Sequence, residues 1–263
     1  MPYKSRRSGL TGNQLKIIGI AAVLIDNIGA VVIQRYILME AGTMGGRLLA
    51  AAGEGRWLIA GQACRYVGRL GFPILAFLTV EEFVRARERG IYAIRLLATA
   101  VLAEVPFDLA VYGTAVYPYY QNMMFTLFIG VLVITALEWM EDGAFQTTMR
   151  ARSLSRAAYG MAVTALGCAV SWLCQCDYNV LGVLFMVSMY CFRRSETAQL
   201  ISGVVLCAVE SVGCYCISAL SFVPIMLYNG RRGTLQLKYL LCAFYPLHFL
   251  ALLGIGAWIG KGA

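Results

Sequence analysis

Charge is scarce in this 263-residue sequence: 14% of it is Asp, Glu, Lys or Arg, against about 25% in an ordinary soluble domain. A chain of this length without a polar skin is excluded as a conventional soluble globule. Histidine is scarcer still, with His248 alone, which argues against a metal centre built on imidazoles. No Gly-rich phosphate loop follows a strand-like run, and no low-complexity linker or internal repeat divides the chain. No convincing small-residue cleavage site follows the first apolar run, so the basic start and apolar stretch read as an uncleaved first span rather than a signal peptide.

What is present is apolar sequence. Hydrophobic residues make up 60%, in continuous runs. Runs of about 18 residues cross about 30 Å of hydrocarbon as helices, whereas membrane strands alternate apolar and polar positions. The expected fold class is all-α: a polytopic membrane bundle of about eight or nine spans, forming one transmembrane domain over residues 1–263. The spans run from Leu15 to Ile33, Cys64 to Val84, Ile91 to Val111, Asn122 to Met140, Ala157 to Leu173, Tyr178 to Phe192, Ala198 to Val212, Cys216 to Tyr228 and Leu235 to Ile259. A mixed stretch from Gln34 to Gln62 reads as a long loop with room for an interfacial helix. The seventh and eighth spans are short enough to be re-entrant.

Basic residues orient the chain, because Lys and Arg collect in cytoplasmic loops. With the N-terminus inside, 14 of the 22 Lys and Arg fall in inside segments: Lys4, Arg6, Arg7, Arg85, Arg87, Arg89, Arg150, Arg152, Arg156, Arg193, Arg194, Arg231, Arg232 and Lys238. The outside segments hold Arg35, Arg47, Arg56 and Lys261. This also accounts for the net charge of +8 without nucleic acid, since no single basic face forms.

Ionisable groups in hydrocarbon cost at least about 2.5–3.5 kcal/mol each and usually face a bundle interior or a wet cavity. Asp26, Arg69, Glu104, Glu210 and His248 lie inside spans, with Arg65 and Asp108 nearer an end. At about 1.5 Å rise per residue, Asp26 and Asn27 lie about 17 Å from the inner end of the first span. Gln121 and Asn122 open the fourth. Together these groups suggest a polar cavity open to the outside. Lys16, Glu81, Glu82, Arg95 and Glu138 form a second set near the inner end. A structural alternative stays open, in which Arg65 and Arg69 pair with Glu104 and Asp108 to lock two spans together.

His248 lies in Phe244-Tyr245-Pro246-Leu247-His248. Pro246 removes a helical hydrogen bond and kinks the last span beside the imidazole. The nine cysteines include two C-x-C pairs in outer turns, Cys174/Cys176 and Cys214/Cys216. A disulfide or a metal site is one use for such pairs; small apolar packing is the simpler one.

A resemblance rests on ordered stretches spread along nearly the whole chain. They are Leu15-Lys16-Ile17-Ile18, Leu24-Ile25-Asp26-Asn27-Ile28-Gly29, Arg69-Leu70-Gly71-Phe72-Pro73, Glu104-Val105-Pro106-Phe107-Asp108, Gln121-Asn122-Met123-Met124-Phe125, Tyr228-Asn229-Gly230-Arg231-Arg232-Gly233, Lys238-Tyr239 and Phe244 to His248. Residues 141–215 match only in hydropathy. The chain resembles the TraX family, named for a conjugal-transfer protein associated with N-terminal acetylation of pilin. The wider resemblance is to transmembrane acyltransferases of the acyltransferase-3 and heparan-glucosaminide acetyltransferase types.

The resemblance implies an acetyltransferase of the bacterial inner membrane. It would move acetyl from cytosolic acetyl-CoA to an acceptor at the far face: a pilin N-terminus, a glycan, or a small amine or hydroxyl. No permanently bound cofactor is expected. His248 and Asp26 would handle protons, and Arg65 and Arg69 would stabilise developing negative charge. Glu104, Asp108, Gln121 and Asn122 would orient the acceptor, with Lys16, Arg231 and Arg232 holding the phosphates of CoA. The family's first span normally reads Asp-His-Ile-Gly, and that His is the natural base. Here the position is Asn27, which positions groups by hydrogen bonding but accepts no proton at neutral pH. An inactive family member and a small-molecule transporter are the other readings.

Overall fold

The computed structural model describes residues 8–39, 54–141, 149–233 and 239–261. Within them the chain is helical, and no strand forms. Only isolated bridges occur, between Leu10 and Tyr228 and between Gln121 and Cys176. The helices are α1 (Gly12–Asn27), α2 (Glu54–Gly68), α3 (Gly71–Val84), α4 (Arg89–Tyr112), α5 (Met123–Glu141), α6 (Met149–Leu173), α7 (Asn179–Cys191), α8 (Glu196–Glu210), α9 (Phe222–Met226) and α10 (Leu240–Lys261).

Local chemistry sets several boundaries. Thr11 caps α1 in a reciprocal box, its hydroxyl accepting from Gln14 N while the Gln14 side chain accepts from Thr11 N. The helix then continues as a π-helix from Ile28 to Met39, so the expected first span runs on well past Ile33. The α4 helix ends at Gly113, whose left-handed φ of 78° suits a residue without Cβ. There Arg35 donates to the Leu109 carbonyl and, at 2.6 Å, to the Ala110 carbonyl, two of the acceptors a helix end leaves open.

The expected span from Cys64 to Val84 is corrected to two helices, with a break at Arg69 and Leu70. Pro73 is the physical reason. Its ring would clash with the carbonyl of Arg69 in a continuous helix, but it is tolerated in the first turn of a new one. The expected eighth span is also not one helix. Short 3₁₀ turns at Val212–Cys214 and Ile217–Ser221 lead into the single turn and a half of α9. The expected loop from Gln34 to Gln62 is helical at both ends, and its middle lies outside the described residues.

α3 is the central helix. Every residue from Gly71 to Val80 is buried, as expected of a helix apolar on all sides. It packs on α1, α5 and α7, while α4 lies along α10 and α2 along the π-helical stretch. Small residues permit close crossings, as is usual where lipid replaces water. A Cβ on Gly19 would meet Leu75 at 2.9 Å, and one on Gly29 would meet Cys64 at 2.7 Å.

Two helical stretches, Gly12–Leu38 and Leu240–Ile259, are long and apolar enough to cross a membrane by themselves. Met123–Trp139, Asn179–Cys191 and Ile217–Met226 are shorter apolar helices. The outer faces are apolar too: Ile94, Leu102, Met161, Leu166, Ile201 and Trp258 are all exposed. Exposed apolar surface on this scale marks contact with another apolar phase. Two helices of spanning length and an apolar outer face are features that suggest a membrane protein.

Candidate functional site

The only imidazole sits deep in the bundle, 5% exposed. His248 Nδ1 lies 3.1 Å from the Phe244 carbonyl, and a carbonyl only accepts, so this nitrogen carries the proton. Nε2 is left with its lone pair, and it accepts from Asn27 Nδ2 at 3.1 Å. The same Asn27 amide donates to the Val23 carbonyl at 3.0 Å. The ring stacks on Phe244 at 4.5 Å and touches Phe249 at 4.0 Å between centroids. α1 and α10 therefore bring together the two positions marked in the sequence as candidate bases, residues 27 and 248.

Asp26 points the other way. Its Oδ2 accepts from Arg65 Nη1 at 2.6 Å, and its Oδ1 is buried without a hydrogen-bond partner among the described residues. Gly68 makes room for it: a Cβ there would lie 2.1 Å from Oδ1. Gly68→Ala should therefore lower stability by about 1–3 kcal/mol, the usual cost of overpacking. Thermal unfolding in detergent reads this, and an Asp26→Gly background, which also removes the Asp26 Cβ that would lie 2.2 Å away, should absorb most of the loss.

The expected pairing of Arg65 and Arg69 with Glu104 and Asp108 is overturned. Arg65 binds Asp26, and Arg69 Nη1 binds Glu210 Oε1 at 2.8 Å. Ser218 donates to the other Glu210 oxygen at 2.8 Å. The reason is the break after Gly68: it turns Arg69 toward the end of α8 and leaves Arg65 on the helix that faces α1.

Glu104 and Asp108 face the loop side of α4 instead. Asn122, fully buried, donates from Nδ2 to Glu104 Oε2 and to the Ala100 carbonyl, while its Oδ1 accepts from Met124 N at the start of α5. Asp108 Oδ2 accepts from Tyr117 N at 2.7 Å. Glu104 Oε1 and Asp108 Oδ1 are buried and lack a partner among the described residues. Gln121 joins the outer turns through its backbone, donating to the Gln175 carbonyl and accepting from Asp177 N. Its side chain reaches only the Pro118 carbonyl.

Asp177, in the turn between α6 and α7, is part of the same region although its sequence context does not mark it. Its Oδ1 accepts from the Tyr120 hydroxyl at 2.7 Å and from Tyr178 N at 3.0 Å. It lies in electrostatic range of Arg69 and Arg65, and burial pushes its carboxyl above the ordinary range. Glu210 and Ser218 likewise join the region from outside the expected set of site residues. The available signals are a lone acid in the turn before Tyr178 and a charge, Glu210, inside the expected seventh span. The region as a whole holds five carboxylates (Asp26, Glu104, Asp108, Asp177, Glu210) and two guanidiniums.

The inner-end groups form a separate cluster. Lys16 Nζ meets Glu82 Oε1 at 2.5 Å, and Arg85 pairs with Glu81 and donates to the Tyr228 hydroxyl at 2.9 Å. The carbonyls of Arg231 and Arg232 accept from the first N–H groups of α1, Gly12 and Asn13. Their side chains lie at the surface, and the Arg232 guanidinium donates to the Arg85 carbonyl at 3.5 Å. No disulfide forms within either C-x-C pair: Cys174 is exposed and Cys176 buried, and Cys214 and Cys216 are free thiols as well.

The profile of a protein family described as TraX protein matches residues 11–256. The chain is 24% identical over 273 aligned positions to the probable fimbrial assembly protein FimC, serogroup H1, of Dichelobacter nodosus, covering 94% of this chain and 96% of that one. No solved structure matches. With the match running through the buried Asn27–His248 pair and both polar clusters, the chain belongs to the TraX family.

Proposed function

We propose that this protein is a multi-pass acetyltransferase of the bacterial inner membrane, working across the bilayer from cytosolic acetyl-CoA to an acceptor at the outer face. The observation that carries the reading is the 3.1 Å contact between Asn27 and His248. It places a neutral imidazole with a lone-pair nitrogen between a basic inner cluster and an acidic outer one.

The contacts are in keeping with a multi-pass bundle whose two ends carry separate sets of polar groups. Lys16 meets Glu82, Arg89 meets Glu138, and Arg85 meets Tyr228, all groups assigned to the inner end. Arg35 meets Leu109, Arg69 meets Glu210, and Gln121 meets Cys176, all assigned to the outer half.

In the proposed reaction the acceptor nitrogen attacks the acetyl thioester carbonyl. The C–N bond forms, the C–S bond breaks, and CoA leaves as the thiol. The acceptor ammonium first gives one proton to His248 Nε2, which requires Asn27 to release that nitrogen, and the second N–H proton lost on acylation goes to the departing sulfur, so that CoA leaves as the thiol. Arg65 and Arg69, now paired with Asp26 and Glu210, would supply the positive charge that stabilises the developing oxyanion. Arg231 and Arg232 sit where the CoA phosphates would arrive. The three partnerless carboxylate oxygens and the excess of acids over guanidiniums favour a cationic amine as acceptor. The relative's name, a probable fimbrial assembly protein, makes a pilin N-terminus the first acceptor to try.

Purified protein in detergent should bind acetyl-CoA in a calorimetric titration. No heat at high ligand concentration would sink the proposal. Asn27→His restores the residue usual in the family, beside His248, and should raise the acetyl transfer rate. An unchanged rate would mean that the site is lost more widely than at position 27 or that the acceptor is wrong.

A further inference from the structure

We propose that the flank formed by α5, α6 and α7 holds an anionic phospholipid, its acyl chain in an apolar groove and its phosphate at the basic inner end. The inference rests on the membrane-spanning reading above and adds a ligand to a face that the acyl-transfer chemistry does not use.

The groove encloses about 520 Å³ and is lined by Leu137 of α5, Ala157, Gly160, Met161 and Ala165 of α6, and Val187 of α7, among others. Its shape follows from glycine spacing. At the outer end the helices touch: a Cβ on Gly167 would lie 2.2 Å from Val133. Two turns inward they have separated, and a Cβ on Gly160 would meet Leu137 only at 3.5 Å. The groove therefore widens toward the inner side.

Length suits the occupant. Ala157 and Cys168 bound about 17 Å of α6 at the helical rise, a length along which an acyl chain can lie.

Charge selects the headgroup. Ala157 and Cys191 line the groove at its inner end. Arg156 directly precedes the first, and Arg193 and Arg194 follow the second within three residues. Arg193 is held over the Tyr190 ring at 3.9 Å, which fixes one cation at this rim. Basic residues at the cytoplasmic end of a cleft between membrane helices suit an anionic headgroup, each contributing about 1 kcal/mol near the surface.

The test is native mass spectrometry of protein reconstituted in bilayers of equal phosphatidylglycerol and phosphatidylcholine. The wild-type chain should retain phosphatidylglycerol in excess. Arg156→Gln and Arg194→Gln should each lower that excess about fivefold. Gly160→Leu, which fills the groove, should remove retention of both lipids. Equal retention of the two lipids, or retention unchanged in all three variants, overturns the proposal, as does a second protein chain occupying the flank. A carbonate wash releasing the protein without detergent would overturn the membrane-spanning reading instead, so the two failures are distinguishable.

Discussion

Replacing His248 by glutamine should lower acetyl transfer by about 10²–10⁴-fold, the usual contribution of a positioned general base, while leaving acetyl-CoA binding intact. Glutamine keeps a polar group near Asn27 and the Phe244 carbonyl, so the ring's packing is the main structural loss. Thermal unfolding of the same preparation controls for it. The specificity of the result comes from the lone pair. Nε2 is the one basic imidazole nitrogen available to this chain, since His248 is its only histidine. Undiminished transfer in the variant would shift the chemistry to Asp26 or to proximity alone. Comparison with Asn27→His then separates two cases. If His248 is the base, the single loss is severe and a histidine at position 27 rescues it. If the site has lost its chemistry, neither change matters.

Arg69→Met should destabilise the protein by up to about 3–5 kcal/mol, the cost of removing one partner from a buried ion pair. The lower end is expected, because the Arg69 side chain retains 29% of its exposure. The orphaned partner is Glu210, which keeps its hydrogen bond from Ser218. Adding Glu210→Leu should restore most of the stability, since apolar replacement of both partners of such a pair is often neutral. Detergent-phase thermal unfolding of the two singles and the double gives the coupling. Additive losses would show that the pair is not a unit. Arg69 links the start of α3 to the end of α8, so its loss should also loosen the outer turns around Asp177. Hydrogen exchange there would report it.

Much of the site's depth is legible in the amino-acid sequence. Charges in hydrocarbon are few and costly, so Asp26, Arg65, Arg69, Glu104, Asp108 and His248 stand out, and hydropathy with basic-loop counting places each at a height along the bundle. Lateral neighbourhood is not legible in the same way. Arg65 and Glu104 have heights that permit a pair, and only the packing of α2 against α1 shows that Arg65 belongs to Asp26. The break before α3 is signalled by Pro73 alone, and a proline in an apolar run marks a kink as readily as an end. Glu210 stands out as a charge inside a span, but nothing in the sequence names Arg69 and Ser218 as its partners, and Asp177, alone in a short turn, does not announce a site at all.

The sequence by itself determined that this chain is an α-helical, apolar protein of the TraX type, with basic segments at one end and an asparagine where the family usually has histidine. Those properties are local: apolar run length, cap residues, charge sign and motif order are written residue by residue. The tertiary structure decided what Asn27 faces. Its neighbour is fixed by how α1 and α10 cross, 221 positions apart in the chain, and a crossing is a property of two packed surfaces. From that crossing comes the central feature of the site, a lone-pair nitrogen of His248 held by the amide of Asn27.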